Sequence, residues 1–173
     1  SADGAEIAEA ALVLPLVFML LLGIIWFGRA FNIYSTIQQA AQQGAITAAR
    51  PACATCTLAN PWGSTNFPGN ATVQATVEAV LKSSNLDPAQ IPANPPPSPL
   101  SCTSPPTIPC TTTSDNITIC RQVLLNPPAS ATQPAQCGTL VSFQYPFQFY
   151  LPFTSLNLQQ IVLSAQAQSR MEN

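Results

Sequence analysis

The chain opens on a run of apolar positions that never alternates. From Ala10 to Gly28, AALVLPLVFMLLLGIIWFG, no residue carries a charge. An unbroken apolar stretch of about 20 residues reads as a helix able to cross a hydrocarbon layer about 30 Å thick. After Arg29 the pattern changes without a break. Ala30, Ile33, Tyr34, Ile37, Ala41, Ala45 and Ala48 recur at the spacing of one helix face, while Asn32, Ser35, Gln38, Gln39, Gln42 and Gln43 fall largely away from it. Pro51 biases Arg50 out of the helical region and stops the run. The spacing predicts a single helix over about residues 5–49, roughly 65 Å long at about 1.5 Å per residue. Its first half is apolar all round and its second half is amphipathic. Pro15 forfeits one backbone bond inside it, and Gly23 and Gly28 are further irregularities of the rod.

Beyond Pro51 the period shortens and breaks. Residues 51–70 read as loop, with Pro51, Pro61, Gly63, Pro68 and Gly69. A short helix follows from about Ala71 to Ser84, with Val73, Val77, Val80 and Leu81 on one face and Asn70 as candidate N-cap. The segment IPANPPPSPLSCTSPPTIPC, ending at Cys110, is polyproline-like and builds no regular core; its two cysteines tie it down over the surface. Alternation then predicts three strands. One starts near Asn116 with Ile117, Ile119 and Val123 on one side; the second places Val141, Phe143, Tyr145, Phe147 and Phe149 on one face; the third does so with Ile161, Leu163, Ala165 and Ala167. Pro146 points to an edge position or a bulge. Packed antiparallel against the second half of the long helix, these strands bury both apolar faces. The expected class is α+β in two parts: residues 1–50 the helix, residues 51–173 a small antiparallel head with Pro-rich, disulfide-bonded loops.

Composition narrows what such a chain does. Hydrophobic residues make up 47 % and charged residues only 7 %, against about 25 % charged in an average soluble protein. So few charges leave a free monomer little colloidal protection, which points to a surface of Ser, Thr, Asn, Gln and Pro or to burial in a membrane or an assembly. Net charge is −2 and the five basic residues (Arg29, Arg50, Lys82, Arg121, Arg170) are scattered, so no nucleic-acid partner is expected. Histidine is absent, which removes the commonest general base and every His-containing triad or metal site. Beyond residue 10 the acids are Glu78, Asp87, Asp115 and Glu172, far apart and without a motif. The expectation is no enzyme, no metal and no cofactor.

All six cysteines (Cys53, Cys56, Cys102, Cys110, Cys120, Cys137) lie after residue 50, as expected of an exported head in an oxidising compartment. The C-x-x-C of Cys53 and Cys56 has the spacing of a redox pair or half a zinc site, but it follows a helix inside a Pro-rich loop, so disulfides are the better reading. Sequence-near pairs are expected, Cys53 with Cys56 and Cys102 with Cys110. Thr111–Ser114 and the N-x-T sequons at Asn70 and Asn116 leave glycosylation open.

The flank before the apolar run separates readings of it. A resident anchor carries Lys or Arg on its cytoplasmic side; here the flank is SADGAEIAE, acidic and without a base, so the chain reads as one whose basic leader has been removed. Glu9 beside an apolar run costs several kcal/mol when unpaired, so it is expected to be paired or functional. Cleavage between Gly4 and Ala5 makes Glu9 the fifth residue of the new chain and a neighbouring subunit's free amine its natural partner. The plainer reading is an interfacial acid favoured by the helix dipole, and for the glycines close packing in any membrane bundle.

EAALVLPLVFMLLLGIIWFGRAF, followed by QQAAQQGAITAAR, resembles the N-terminal signature of the TadE/TadG-like (tight-adherence) pseudopilins. Gly4 before Ala5-Glu6-Ile7-Ala8-Glu9 is similar to their prepilin-peptidase site, and VSFQYPFQFYLPF with IVLSAQAQSRMEN resembles their closing strands. The resemblance implies a type IV pilin-like architecture and a pilus filament or its initiating subunits. It further implies processing at Gly4 and Ala5 by a prepilin peptidase, residence in the inner membrane before assembly, and polymerisation with copies of itself by an inner-membrane machine driven by a cytoplasmic ATPase. Assembly is then expected of Glu9, Pro15, Gly23, Gly28 and Arg29. The preferred function is the structural subunit of an extracellular filament at the cell surface. A minor membrane-resident pseudopilin that primes assembly stays open, as does a single-span membrane protein with a disulfide-bonded binding head.

Overall fold

The computed structural model describes residues 2–51, 67–102, 110–126, 135–148 and 160–171, with side chains from Glu9 onward. Helix α1 spans Ala2–Ala49 and contains Pro15 without ending there. Among the described residues the core takes in the end of this helix: Ile37, Ala40, Ala41, Ala45 and Ala48 are buried and Ile33 packs partly against them, whereas Tyr34, expected on the same face, is exposed. The small side chains let the helix lie close to its neighbours. At Gly44 a Cβ would stand 2.6 Å from Val77 Cγ2 and 3.4 Å from Val141 Cγ1. Gly44→Ala should therefore lower stability by up to about 2 kcal/mol, since overpacking costs about 1–3 kcal/mol and the gain in helix propensity returns about 1 kcal/mol; equilibrium urea unfolding checks it.

Helix α2 (Asn70–Ser83) buries Val73, Val77 and Leu81 against α1. Asn70 is not its N-cap. Gly69 occupies that position with an extended backbone, and the Asn70 side chain instead accepts a hydrogen bond from Arg121 at 3.2 Å. A turn then leads to a 3-10 segment, Pro88–Gln90, opened by the Asp87 carboxylate accepting from the Ala89 amide at 3.0 Å.

The sheet has four antiparallel strands in the order β1-β2-β3-β4: β1 Cys110–Thr112, β2 Thr118–Leu124, β3 Cys137–Phe147 and β4 Ile161–Arg170. The sequence predicts the last three. β1 has three residues and no alternation, and exists by pairing with β2. Ile117, Ile119, Val141, Phe143, Tyr145, Ala165 and Ala167 form the face under α1, joined by Thr139, whose buried hydroxyl donates to the Ala45 carbonyl at 3.1 Å. Val123 does not share that face. The β2–β3 register shifts between Cys120 and Val123, and Gln122 adopts φ 57°. This bulge reverses the alternation, so Val123 packs with Cys120 and Leu140 on the opposite side. Phe149 lies outside the described residues. β4 pairs along the whole of β3, but β2 pairs only as far as Ser142, so Pro146 sits where β3 has one strand neighbour, in keeping with the edge reading.

The Leu100–Cys102 end of the described Pro-rich segment runs along the free side of β2 beyond β1. Leu124 N–H donates to Leu100 O and Cys102 N–H to Gln122 O, both at 2.8 Å. This strap decides the disulfides. It sets Cys102 beside the start of β3, where it bonds Cys137, and the β1–β2 register sets Cys110 directly opposite Cys120, which it bonds. The expected Cys102–Cys110 pair is therefore wrong, because the strap's bonds to β2 hold Cys102 beside Cys137 while the β1–β2 register commits Cys110 to Cys120. Cys53 and Cys56 lie outside the described residues.

Candidate functional site

The amphipathic half of α1 is consumed by the head, and the apolar half is not. Leu12 (74 %), Leu14 (73 %), Met19 (77 %) and Phe27 (75 %) stand largely exposed, with Leu16, Phe18, Ile24, Ile25 and Phe31 more than half exposed around them. Burying one such side chain is worth about 1.5–3 kcal/mol, and a contiguous apolar patch of this extent marks a protein or membrane contact. Helix α1 is long and apolar enough to cross a membrane.

The residues expected to act are strung along this rod and do not converge on a point. Gly4 and Ala5 lie within the helix. Glu9 is exposed at the start of the apolar run, and Pro15 interrupts the run from inside. Around Gly23 and Gly28 nothing stands within 4 Å of the place a Cβ would take, so no contact among the described residues accounts for either glycine. Arg29, also exposed, borders an open cleft of about 570 Å³ where α1 leaves the head, together with Asn85, Asp87, Gln90 and Tyr145. Among the described residues the one ion pair is Lys82–Glu78 at 2.9 Å on α2; Glu9 and Arg29 form none.

The polar groups of the head hold its parts together. The Tyr145 hydroxyl accepts from the Asp87 amide at 3.1 Å and reaches Gln90 Oε1 at 3.4 Å, fixing the turn after α2 to the sheet; burial pushes its pKa up. Gln74 Nε2 bridges Glu78 and Asp115. Hydrogen bonds from Lys82 and Gln74 hold the Glu78 carboxyl below its ordinary value. Among the described residues no group of three or more His, Cys, Asp or Glu side chains is placed to hold a metal ion.

Arg121 is the residue that sequence reasoning passed over. Its guanidinium donates to the Ala48 carbonyl at 3.1 Å, the Pro68 carbonyl at 2.7 Å and Asn70 Oδ1 at 3.2 Å, joining the end of α1 to the start of α2. Burial lowers its pKa, yet an arginine stays charged, and a cation at a helix C-terminus is favoured by the dipole. The signal was its parity: 117, 119 and 121 share a strand face, so a lone arginine was due to point at the helices. Arg121→Met should cost about 2–3 kcal/mol, the worth of charged hydrogen bonds whose carbonyl partners are left buried, read as a lower thermal midpoint.

Residues 4–45 match the family model described as TadE-like protein. The match runs from the expected cleavage glycine through the exposed apolar rod into the part of α1 that the head covers. Neither the curated proteins nor the solved structures provide a match to the chain.

Proposed function

We propose that this chain is a structural subunit of an extracellular Tad-like, type IV-like pilus, a pilin that polymerises by bundling its N-terminal helices. The observation that carries this reading is α1 itself, whose apolar half is largely exposed and extends beyond the buried core that the described head builds on its second half. A membrane solvates such a rod before assembly and neighbouring rods replace the lipid afterwards. The similarity of residues 4–45 to TadE-like proteins supports a pilus role, and with it processing at Gly4–Ala5 by a prepilin peptidase and extraction by an inner-membrane machine. A charge-poor head tied by the Cys102–Cys137 and Cys110–Cys120 disulfides suits long exposure outside the cell. The role is structural, without catalysis. The TadE-like match also favours a second reading, a minor membrane-resident pseudopilin that initiates a filament made of another chain.

Cryo-electron microscopy of filaments sheared from producing cells decides between them. The expected result is a helical reconstruction whose side chains trace this sequence, with the apolar helices at the axis. Filaments that trace to another chain, with this one confined to the membrane fraction, would overturn the filament reading in favour of the minor subunit.

A further inference from the structure

The cleft where α1 leaves the head is lined by an arginine and a carboxylate that do not pair. Arg29 borders it from the helix and Asp87 from the turn after α2, with Asn85, Gln90 and Tyr145 also in its lining. Both charged residues are exposed, and neither forms an ion pair among the described residues. Asp87 is nonetheless held in place. Its carboxylate accepts from the Ala89 amide through Oδ1, and its own amide donates to the Tyr145 hydroxyl. At about 570 Å³ the cleft has the size of a small-molecule site, for which about 300–1,000 Å³ is usual.

The level of the cleft along the rod identifies its ligand. The uncharged run from Ala10 to Gly28 covers about 29 Å of helix at about 1.5 Å per residue, close to the thickness of a hydrocarbon layer. With that run in a membrane, Arg29 and the cleft lie among the headgroups. Trp26 and Tyr34, on either side of Arg29 in the chain, are residue types that gather at that level. The disulfides put the head on the oxidising side, the flank on which the positive-inside bias gives no reason for a base. A lipid phosphate supplies one, since the guanidinium fork matches it. Asp87 then selects among phospholipids: it attracts a headgroup that ends in a primary ammonium, gains nothing from a neutral glycerol, and cannot accept a hydrogen bond from a trimethylated ammonium. Ile25 and Leu22, about one and two turns before Arg29, continue its side of the helix into the apolar run, where acyl chains lie. We propose that the cleft holds the headgroup of an aminophospholipid, with the phosphate on Arg29 and the ammonium on Asp87, and so docks the head on the membrane surface before assembly. The inference rests on the membrane-resident stage of the reading above and adds a ligand to it.

The test uses the full-length chain in vesicles of phosphatidylcholine, phosphatidylethanolamine and phosphatidylglycerol in equal parts. After flotation the chain is extracted in mild detergent, and the lipid it retains is identified by native mass spectrometry. Phosphatidylethanolamine should be enriched about fivefold or more over each of the other two. Arg29→Gln should cut the retained phosphatidylethanolamine about tenfold. Asp87→Asn, which can still accept from the Ala89 amide, should level the three lipids. Water-soluble glycerophosphoethanolamine, added at equal concentration, should displace nothing, because it brings no acyl chain to lie along α1. Displacement by it would assign the cleft to a soluble phosphoester and overturn the lipid site. Phosphatidylglycerol or phosphatidylcholine retained as well as phosphatidylethanolamine, or an enrichment that survives both substitutions, would also overturn it. A chain that floats with the vesicles but shows no preference would leave the membrane stage standing without the lipid site. A chain that does not float would remove both.

Discussion

Glu9→Ala should reduce the yield of sheared filaments about a hundredfold or more without moving the unfolding transition of the head. The second half of that expectation follows from the isolated chain. Glu9 is exposed, forms no ion pair among the described residues, and precedes Ile37, a core residue of the helix, by about 40 Å along the axis. Nothing in the head can register its loss. The first half follows from the filament reading. Removing one member of a buried charge pair leaves the other uncompensated at a cost of about 3–5 kcal/mol, and each 1.4 kcal/mol is about tenfold in affinity. The argument needs only a charged partner buried with Glu9, such as a neighbour's amine. Immunoblots of sheared and membrane fractions, with circular dichroism of the extracted chain, read both quantities. A single-span anchor with a binding head would lose nothing, so normal filament yield would strip Glu9 of its assembly role.

What the sequence makes legible here is what repeats. Helix α1 is read almost to its ends because an apolar run and a 3.6-residue pattern follow each other for more than forty residues without a breaker strong enough to stop them. The strand faces of β3 and β4 are read because aromatic and small residues alternate on them under the helix. What fails is where one residue changes the parity. Gln122 takes a left-handed conformation with no glycine or turn signal to announce it, so Val123 turns to the other face. Strand β1 fails for a different reason: three residues carry no period, and only their register with β2 makes them a strand. The disulfides follow that register and the strap beside it, which sequence proximity does not encode.

The candidate site divides along the same line. Glu9 and Arg29 stand out as charges against an apolar background, and Gly23 and Gly28 as breaks in it; all four are visible before any fold is known. Gly44 and Arg121 act only through neighbours brought from elsewhere in the chain, Val77 and Val141 in one case, Ala48 and Pro68 in the other. Their residue types are unremarkable at their positions until α1, α2 and the sheet are assembled around them.

Gly138→Ala should destabilise the head by about 3 kcal/mol or more, the upper range of overpacking. Gly138 opens β3 between two partners, Val123 on β2 and Arg170 on β4. A Cβ there would collide with the Ser169 main-chain carbonyl and stand 2.6 Å from Leu125 Cδ1. Its φ is not positive, so space rather than torsion demands glycine. At Gly44 the obstacle is a side-chain methyl; here it is the backbone of a paired strand, which moves only if the β3–β4 ladder moves with it. β3 also carries Thr139, Val141 and Phe143, which seat α1, and Cys137 beside the glycine anchors the strap. A displaced strand therefore loosens the helix and the strap together. Urea unfolding of the purified chain should show the loss, and filament yield should fall with it. Glu9→Ala should instead abolish filaments around an intact head. A Gly138→Ala head that unfolds at the wild-type midpoint would show that the β3–β4 pair can widen, and would remove close approach as the reason for the glycine.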